Sequence, residues 1–386
     1  MPSAANAQQP RLLFVTRNFP PLTGGMERLN QQAFMSLAAS YRATLCGPEG
    51  ASAFLPLGTD VCEVPLAPLW RFLAGAQLSA LKLARREQPD IVYSGSGLTA
   101  PAALVAGRAV GARTVCYLHG LDIVADHSLY RHVFLPAIRR VDRIIVNSQH
   151  TAGLAQAAGV RAQKIAIVNP GVELPDWALR DDARRRFRQL HGLGERPLLL
   201  AAGRLTQRKG LAEFIRHALP AIRERVPDVL MLIVGSEATS ALKHRDGVEA
   251  GIRATISEAT MTAHVHLFGA VDDRTLSDAY FAADAMVFPV LDLPGDVEGF
   301  GMVAVEAAAH GLPTVAFAVG GVPDAVADSE SGWLVESGDY EAFAMRVLAL
   351  LNSATRHDTA QQCRRHAERF EWAEFGRGIA TAVGVA

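Results

Sequence analysis

Residues 296–324 read DVEGFGMVAVEAAAHGLPTVAFAVGGVPD, and this one stretch contains a helix, its stop signal and a strand. The alanine-rich part, Met302–His310, has the composition of a helix. Gly311 and then Pro313 end that helix, because glycine accepts a left-handed conformation and proline cannot continue a helix. The apolar run Thr314–Phe317 resumes as a buried strand. A helix that leads into an apolar strand is the repeating unit of a parallel sheet with helices on both faces.

The same alternation recurs along the rest of the chain. Short runs rich in Val, Ile and Leu are separated by longer amphipathic segments, and these runs form two series: Arg11–Val15, Ala43–Cys46, Ile91–Tyr93, Thr114–Leu118, Arg143–Val146 and Ile165–Val168, then Leu198–Ala202, Val229–Val234, His264–Leu267, Ala285–Phe288, Thr314–Phe317 and Gly332–Val335. A chain of 386 residues exceeds what one hydrophobic core usually supports. The pattern therefore predicts an α/β protein with two Rossmann-like, doubly wound parallel-sheet domains.

The boundary between the two domains is predicted between Pro170 and Pro197, where turn residues mix with a charged helix. The Arg and Asp run in that helix, Arg180–Arg188, is interpreted as a solvated face. Ligands of doubly wound sheets bind at the carboxyl ends of the strands. Two such domains facing each other across a cleft would present two of these edges to one ligand.

Composition and charge argue against several classes of protein. Hydrophobic residues make up 49% and charged residues 20%, which is typical of a packed globular protein. The net charge of -1 provides no basic field for nucleic acid. We expect a cytoplasmic protein, because the first ten residues lack signal-peptide features and no apolar run is long enough to span a membrane. The four cysteines form no C-x-x-C pair and are expected to be reduced: Cys46, Cys62, Cys116 and Cys363.

The strongest candidate ligand site lies at the start of the helix in residues 296–324. Gly299–Met302 would present backbone N–H groups and the positive end of the helix dipole, which suits an anion or sugar hydroxyls. Glu298 precedes these residues and Glu306 follows about one turn inside the helix. A plain capping role for Glu298 and a solvated position for Glu306 are the structural alternatives. A carboxylate among alanines and valines is unfavourable without a partner, which favours a functional interpretation.

A second candidate is the loop AAGRLTQRKG at residues 201–210, which directly follows a predicted strand. Gly203 and Gly210 bracket the loop, and Arg204 and Lys209 can converge on one anion, the first as a planar fork and the second as a point charge. The loop does not match the Walker A pattern of nucleotide-binding proteins. An ordinary charged surface loop is the alternative, and it is favoured for this loop alone but not when the Glu298 segment is present in the same chain.

Two weaker signals follow strands of the first series. Gly24 and Gly25 stand at a predicted helix start, where glycine allows close approach of a phosphate. His119 lies at the end of a strand, with Asp122 three residues later. The segment at residues 94–100, SGSGLTA, nearly matches a dinucleotide fingerprint, but the next strand lacks the acidic residue that would hold a ribose. We interpret that segment as a tight loop lining the cleft.

Together these motifs resemble glycosyltransferase family 4, the retaining transferases with the GT-B fold. The resemblance spans nearly the whole chain and is most specific in the E-x7-E segment Glu298–Glu306 and the G-R-x4-K-G loop Gly203–Gly210. The segment PGDVEGFG at residues 294–301 is similar to the bacterial branch that includes phosphatidylinositol mannoside mannosyltransferases.

The resemblance implies an organisation of the chain and a role for each motif. It implies an N-terminal acceptor-side domain at 1–172, a nucleotide-sugar-binding domain at 173–365, and a C-terminal helix at about 366–386 that packs back on the first domain. The resemblance assigns catalytic roles to four residues: His119, Arg204, Lys209 and Glu298. The resemblance assigns donor binding to a larger set: Gly24, Gly25, Gly203, Arg204, Lys209, Phe268, Val271, Glu298, Gly299, Phe300, Gly301, Met302 and Glu306.

Within these sets the family separates the parts of the donor. Arg204 and Lys209 would hold the diphosphate, Glu306 the ribose hydroxyls, and Glu298 the transferred sugar. Residues 268–271 would cradle the base. Enzymes of this type use no bound metal or other cofactor, and the nucleotide-sugar is a co-substrate. The sequence contains no D-x-D-like cluster at a strand end, since Asp272–Asp273 falls in the predicted base-binding loop.

The resemblance predicts transfer of a hexose, with mannose and a GDP-sugar favoured and a UDP-sugar as the alternative donor. A non-catalytic sugar-nucleotide-binding subunit and a nicotinamide dehydrogenase are the other functions considered. The acceptor is left open among a cell-surface glycan such as lipopolysaccharide, a lipid-linked sugar and a lipid. The stretch at residues 69–86 mixes Trp70 and Phe72 with basic residues, so it is either a packed helix or a contact with the inner face of the plasma membrane.

Overall fold

A computed structural model describes residues 9–124, 127–237, 247–352 and 356–384 of the chain. The chain divides into two compact units. The first consists of Met1–Gly171 together with Trp372–Ala386, and the second is Val172–Glu371. Each unit contains one sheet in which every pair of neighbouring strands is parallel.

The first unit has a seven-stranded sheet in the order β3-β2-β1-β4-β5-β6-β7. Its strands are β1 Arg11–Val15, β2 Arg42–Pro48, β3 Asp60–Val64, β4 Ile91–Ser94, β5 Arg113–Leu118, β6 Arg143–Val146 and β7 Ile165–Ile167. Its helices up to the boundary are α1 Gly25–Ala38, α2 Leu69–Glu87, α3 Ala100–Val110, α4 Leu135–Arg140 and α5 Gln149–Ala157.

The second unit has a six-stranded sheet in the order β10-β9-β8-β11-β12-β13. Its strands are β8 Leu198–Ala202, β9 Leu230–Val234, β10 Val265–Gly269, β11 Ala285–Phe288, β12 Thr314–Phe317 and β13 Gly332–Val335. Its helices are α6 Arg180–Leu190, α7 Leu211–His217, α8 Leu219–Arg225, α9 Val248–Glu258, α10 Asp273–Ala282, α11 Met302–Ala309, α12 Val322–Ala325, α13 Tyr340–Leu351 and α14 Arg356–Glu368. The last helix of the chain, α15 Trp372–Val383, belongs to the first unit.

Strand β1 shows why these strands are apolar on both faces. Leu12 and Phe14 pack with α1 and α15 on one side of the sheet, while Leu13 and Val15 pack with α2 and α3 on the other. Because both faces are covered, successive residues of a strand are buried whichever way they point. This is the doubly wound α/β architecture that the alternating pattern predicts.

Two details differ from the sequence-based predictions. Strand β3, DVCEV, is missing from the predicted series because it lies at the sheet edge and its half-polar sequence lacks an apolar run. The predicted C-terminal helix at about 366–386 is instead two helices, and α14 belongs to the second unit. The chain turns between them where the N–H of Val172 donates to the carbonyl of Phe370 at 2.7 Å.

The charged helix α6 also corrects an expectation. Its run Arg180–Arg188 is not uniformly solvated, because the side chain of Arg188 is only 5% exposed. Arg188 and Arg184 both pair with the buried carboxylate of Asp284, at 3.0 and 2.8 Å. These long-range ion pairs attach α6 to the end of α10, so two of the arginines are structural.

Candidate functional site

The loop after β8 is shaped by glycine at both ends. Gly203 has a φ of 117° and its N–H donates to Val234 at 3.0 Å, while a Cβ on the neighbouring Gly235 would overlap the carbonyl oxygen of Gly203. At the other end Gly210 has a φ of 64°, and a Cβ there would overlap the carbonyl oxygen of Pro289. Gly235 and Gly210 thus permit a close backbone approach that a larger residue would block, while Gly203 supplies the positive φ that the loop needs.

Lys209 lies at the centre of the charged site in the second unit. Its Nζ donates to Oε2 of Glu298 at 2.8 Å and lies 4.5 Å from the ring centroid of Phe288. Burial lowers the pKa of Lys209 well below its usual value, and the charges of Arg208 and Arg204 lower it further. An additional anion beside Lys209 would oppose these effects and favour its charged form.

Arg204 projects from the same loop and is exposed. Its positive charge is close enough to lower the pKa of both Lys209 and Arg208. Within the described ranges Arg204 makes no ion pair, so its planar fork is available to an oxyanion. A small pocket at the end of β8 is lined by Gly203, Arg204, Lys209 and Phe288.

Arg208 is a member of this site that the sequence analysis missed. Its side chain is 8% exposed, its Nε donates to Oδ1 of Asp296 at 3.0 Å, and its Nη1 bonds Oε2 of Glu298. Two features of the sequence could have indicated it. Arg208 is adjacent to Lys209, and an acidic residue, Asp296, lies two positions before Glu298. In the sequence alone, two adjacent basic residues and two nearby acidic residues have the same appearance as ordinary surface charge.

The segment after Glu298 forms the predicted helix start. Gly301, with a φ of 100°, precedes α11, and no side chain among the described residues caps that helix. Gly320 and Gly321 pack over the backbone of Glu298 and Gly299, and the N–H of Gly321 donates to the carbonyl of Glu298 at 2.8 Å. Phe300 is buried, and Met302 opens the helix. The backbone N–H groups at this terminus can receive a polar ligand.

Glu306 lies one turn into α11 and is held by a residue from another helix. The hydroxyl of Tyr280, in α10, donates to its Oε2 at 3.1 Å. The ring of His310 stacks on Tyr280 with centroids 4.9 Å apart, and its Nδ1 donates to the carbonyl of Glu306 at 2.7 Å. Burial lowers the pKa of His310 to about 4, so the imidazole is neutral near pH 7.

The predicted base-binding segment follows a slightly different boundary. Strand β10 extends to Gly269, so Phe268 lies inside the strand rather than in the loop after it. The ring of Phe268 contacts Phe187 and His191, with centroids 5.9 and 4.8 Å apart. Val271 is partly buried against the core.

In the first unit the polar residues gather at the ends of β1, β4 and β5. Gly24 has a φ of 152° and precedes α1, which starts at Gly25. A Cβ on Gly24 would lie 2.5 Å from the carboxylate of Glu27, and that carboxylate accepts a hydrogen bond from Nδ2 of Asn18 at 2.7 Å. The glycine therefore leaves room for a buried acid at the start of α1.

His119 is fixed by backbone contacts. Its Nε2 donates to the carbonyl of Gly95 at 2.8 Å. The carboxylate of Asp122 does not pair with the imidazole. It accepts backbone N–H groups of His119, Gly120 and Gly97 at 2.8, 3.0 and 2.9 Å. Asp122 thus organises the loops around His119, and Gly97 of the dinucleotide-like segment takes part in that structural network.

The structure brings Gly203, Arg204, Lys209, Glu298, Gly299, Phe300, Gly301, Met302 and Glu306 to one end of the second sheet, and Gly24, Gly25 and His119 to one end of the first. Across the described ranges no group of three or more His, Cys, Asp or Glu is placed to hold a metal ion. No described helix combines the length and apolarity needed to cross a bilayer.

Comparisons with known proteins agree with this architecture. The family described as Glycosyltransferase Family 4 matches residues 23–175, and the one described as Glycosyl transferases group 1 matches residues 183–370. The chain is 29% identical, over 96% of its length and 97% of the relative, to a GDP-mannose-dependent alpha-(1-6)-phosphatidylinositol monomannoside mannosyltransferase of Mycolicibacterium smegmatis. The enzyme of that name from Mycobacterium tuberculosis (strain CDC 1551) is 31% identical over 88% of this chain and 89% of the relative.

Among solved structures, Anabaena HepE in complex with UDP superposes with a TM-score of 0.78. The two chains are 21% identical, and the match covers 97% of this chain and 100% of the other. At that identity the likeness concerns the fold.

Proposed function

The chain belongs to the GT-B glycosyltransferases, with a family 4 and a group 1 domain, and on this premise we propose that it transfers mannose from GDP-mannose with retention of configuration. The observation that supports the proposal most is the cluster of Lys209, Arg208 and Glu298 beside Arg204 at the carboxyl end of β8. The relatives named for GDP-mannose favour that donor over a UDP-sugar.

The proposed chemistry follows from where charge develops. The bond between the anomeric carbon and the diphosphate oxygen breaks, and the acceptor hydroxyl oxygen forms a new bond on the same face of the sugar. The proton of that hydroxyl goes to the departing diphosphate. Lys209 and Arg204 neutralise the negative charge on the leaving group, the kind of electrostatic stabilisation that is often the largest catalytic contribution. These two cations supply that charge without a resident metal.

The carboxylates receive the remainder of the donor. Glu298 accepts hydrogen bonds from hydroxyls of the transferred sugar, together with the backbone N–H groups of Gly299–Met302. Glu306, oriented by Tyr280, accepts the ribose hydroxyls. Phe268 and Val271 contribute to the base site.

The first unit is proposed to take the acceptor. Gly24 and Gly25 are proposed to offer backbone N–H groups that suit an anion. Nε2 of His119 is occupied by Gly95, and its Nδ1, which has no hydrogen-bond partner among the described residues, can accept a hydrogen bond from an acceptor hydroxyl. The acceptor is a glycan, lipid-linked sugar or lipid.

Helix α2 supports a peripheral contact with an anionic membrane. Its exposed stripe contains Trp70 and Leu78, at 70% and 69% exposure, next to basic side chains: Arg71, Lys82, Arg85 and Arg86. An apolar and basic stripe suits the headgroup region of the inner face of the plasma membrane. Co-sedimentation with phosphatidylglycerol vesicles but not phosphatidylcholine vesicles would support the contact, and equal sedimentation of wild type and Trp70→Ser would contradict it.

The donor is tested by titrating GDP and UDP by calorimetry and then following transfer by mass spectrometry of the products. We expect tighter binding of GDP, mannosylated product, and turnover unchanged by EDTA. Tighter binding of UDP would replace the proposed donor. Donor binding without nucleotide release in the presence of any acceptor extract would favour the non-catalytic subunit.

A further inference from the structure

The loop between Gly203 and Gly210 contains three cations, and the proposed donor contacts use only two of them. The third, Arg208, is buried, with 8% of its side chain exposed. It forms its contacts inside the site, and its backbone carbonyl also accepts the N–H of Leu291 at 2.8 Å. A buried guanidinium requires a specific role, because its desolvation must be offset by its partners.

The contacts of Arg208 define that role. One edge of the guanidinium bonds Asp296 at 3.0 Å, and Nη1 bonds Oε2 of Glu298. The same oxygen of Glu298 accepts Nζ of Lys209 at 2.8 Å. One carboxylate oxygen therefore holds two cations.

The proposed function makes conflicting demands on that arrangement. Lys209 must turn to the diphosphate, while Glu298 must remain ionised and aimed at the sugar. If Lys209 were the only cation on Glu298, donor binding would leave a buried carboxylate unpaired, since only 12% of the Glu298 side chain is exposed. Removing one partner of a buried ion pair is strongly unfavourable.

We propose that Arg208 is a positioning residue that keeps Glu298 paired and oriented while Lys209 exchanges Glu298 for the donor diphosphate. The inference rests on the proposed function. Asp296, with 37% of its side chain exposed, offsets the charge of Arg208 and holds its plane. Arginine suits this position because its rigid fork reaches two carboxylates at once, whereas a lysine ammonium reaches them as a single point charge.

The arrangement also affects the protonation of Lys209. After burial, the charge of Arg208 is the largest cause that lowers the pKa of Lys209, with Arg204 next, while Glu306 and Asp296 raise it. Removal of Arg208 therefore raises the pKa of Lys209. Because catalysis needs Lys209 protonated, the alkaline limb of the kcat/KM profile should move to higher pH, which loss of a purely structural contact would not cause.

The experiment compares Arg208→Met, Arg208→Lys and Arg208→Met combined with Asp296→Asn, each checked for folding by circular dichroism. We expect Arg208→Met to raise the Kd for GDP and the KM for GDP-mannose by about tenfold or more. Arg208→Lys should recover part of that loss, and adding Asp296→Asn to Arg208→Met should cost little more, because their contact is already absent. If Arg208→Met does not fold, the lysine variant alone should show the raised KM.

The matched control is Arg188→Lys, which changes another buried arginine that pairs with a carboxylate outside the site. It should lower the melting temperature and leave the Kd for GDP unchanged. Wild-type affinity and an unmoved alkaline limb in Arg208→Met, alongside weak binding in Lys209→Ala, would overturn the role of Arg208 and leave the proposed function standing. A wild-type protein that binds neither GDP nor UDP would instead overturn the proposed function.

Discussion

The carboxyl ends of the two sheets have the same architecture and different chemistry. In the second unit, Lys209, Arg208 and Glu298 form a buried cluster of charges. In the first unit the corresponding edge combines buried neutral groups, such as Asn30 and Ser96, with the carboxylates of Glu27 and Asp122, which are hydrogen-bonded within the unit. One α/β frame thus supports two kinds of site, and the loops decide which.

The polar edge of the first unit is also less completely hydrogen-bonded. Neither Oδ1 nor Nδ2 of Asn30 finds a partner among the described residues, and the same holds for Oγ of Ser96 and Nε of Arg17. A Cβ on Gly95 would lie 2.5 Å from both Asn30 and Thr16, so this backbone segment is packed tightly against them. Fixed charges suit a diphosphate, whereas unsatisfied neutral groups suit the hydroxyls of a sugar.

The largest expected effect concerns the cations of the second unit. Lys209→Ala or Arg204→Ala should lower kcat/KM by about 10²–10³-fold, because each removes a preorganised positive charge from the leaving group. Steady-state kinetics measures the loss, and circular dichroism checks that the fold is retained. Lys164→Ala, which removes a lysine whose Nζ bonds the carbonyl of Val141 in the first unit, is the control. Activity near wild type in both site variants would refute the assigned roles.

The charged site of the second unit shows which features of a site can be predicted from local sequence patterns. Gly203, Gly210 and Lys209 follow one strand, and Glu298 precedes one helix, so each is visible as a local pattern. The pairing of Tyr280 with Glu306 spans 26 residues and depends on how α10 packs against α11. No periodicity within either helix encodes that contact.

Contacts between distant elements also explain the two arginines that the sequence-based predictions missed or misplaced. Arg208 and Asp296 are 88 residues apart, so their ion pair was not visible in either motif. Arg188 appears solvated from its charged neighbours, and only the position of Asp284 reveals that it is buried. Sequence pattern predicted the strands that are apolar on both sides and the glycines that bound the loops. It did not predict side chains whose partners come from distant elements.

A second prediction tests the neutral histidine behind Glu306. The pKa of His310 is depressed to about 4 by burial, below the ordinary value of 6.5, so the unfolded chain binds its proton first. The second unit should therefore lose up to about 3 kcal/mol of unfolding free energy as pH falls from 6.5 towards 4. Hydrogen exchange of peptides from Val172–Glu371 measures the loss.

His310→Asn removes the titrating group from that region and should reduce the acid sensitivity of the second unit. We expect the variant to be less stable than wild type at pH 7, because it loses the stack on Tyr280. The decisive quantity is how steeply the unfolding free energy of the second unit changes with pH. If this slope between pH 6.5 and 4 is equal in the variant and in wild type, His310 does not control the acid sensitivity.

A smaller effect, on the KM for the donor, is expected when one tyrosine of each unit is replaced. Tyr280→Phe removes the hydroxyl that donates to Glu306 and should raise the KM for the donor about tenfold, as expected for a lost hydrogen bond to a charged group. Tyr93→Phe is the control, because the buried hydroxyl of Tyr93 has no partner within the described ranges. The contrast between the two units fails if both variants change the KM equally.

The smallest effect concerns Asn30, whose amide is fully buried and without a partner among the described side chains and backbone. Replacing a buried, unsatisfied polar group by an apolar one of similar size removes a desolvation penalty. Asn30→Leu should therefore leave the stability of the first unit unchanged or raise it by about 1 kcal/mol. Urea unfolding measures stability, and transfer to acceptor is assayed in parallel.

Asn18→Leu provides the opposite case on the same edge, because Nδ2 of Asn18 donates to the buried carboxylate of Glu27 at 2.7 Å. That variant should be destabilised, since it leaves a buried charge without its donor. If Asn30→Leu is stable but transfers poorly, the unsatisfied amide serves the ligand rather than the fold, as the comparison of the two edges requires. If Asn30→Leu is as unstable as Asn18→Leu, the amide is structural, and the contrast between a charged donor edge and an unsatisfied polar edge is lost.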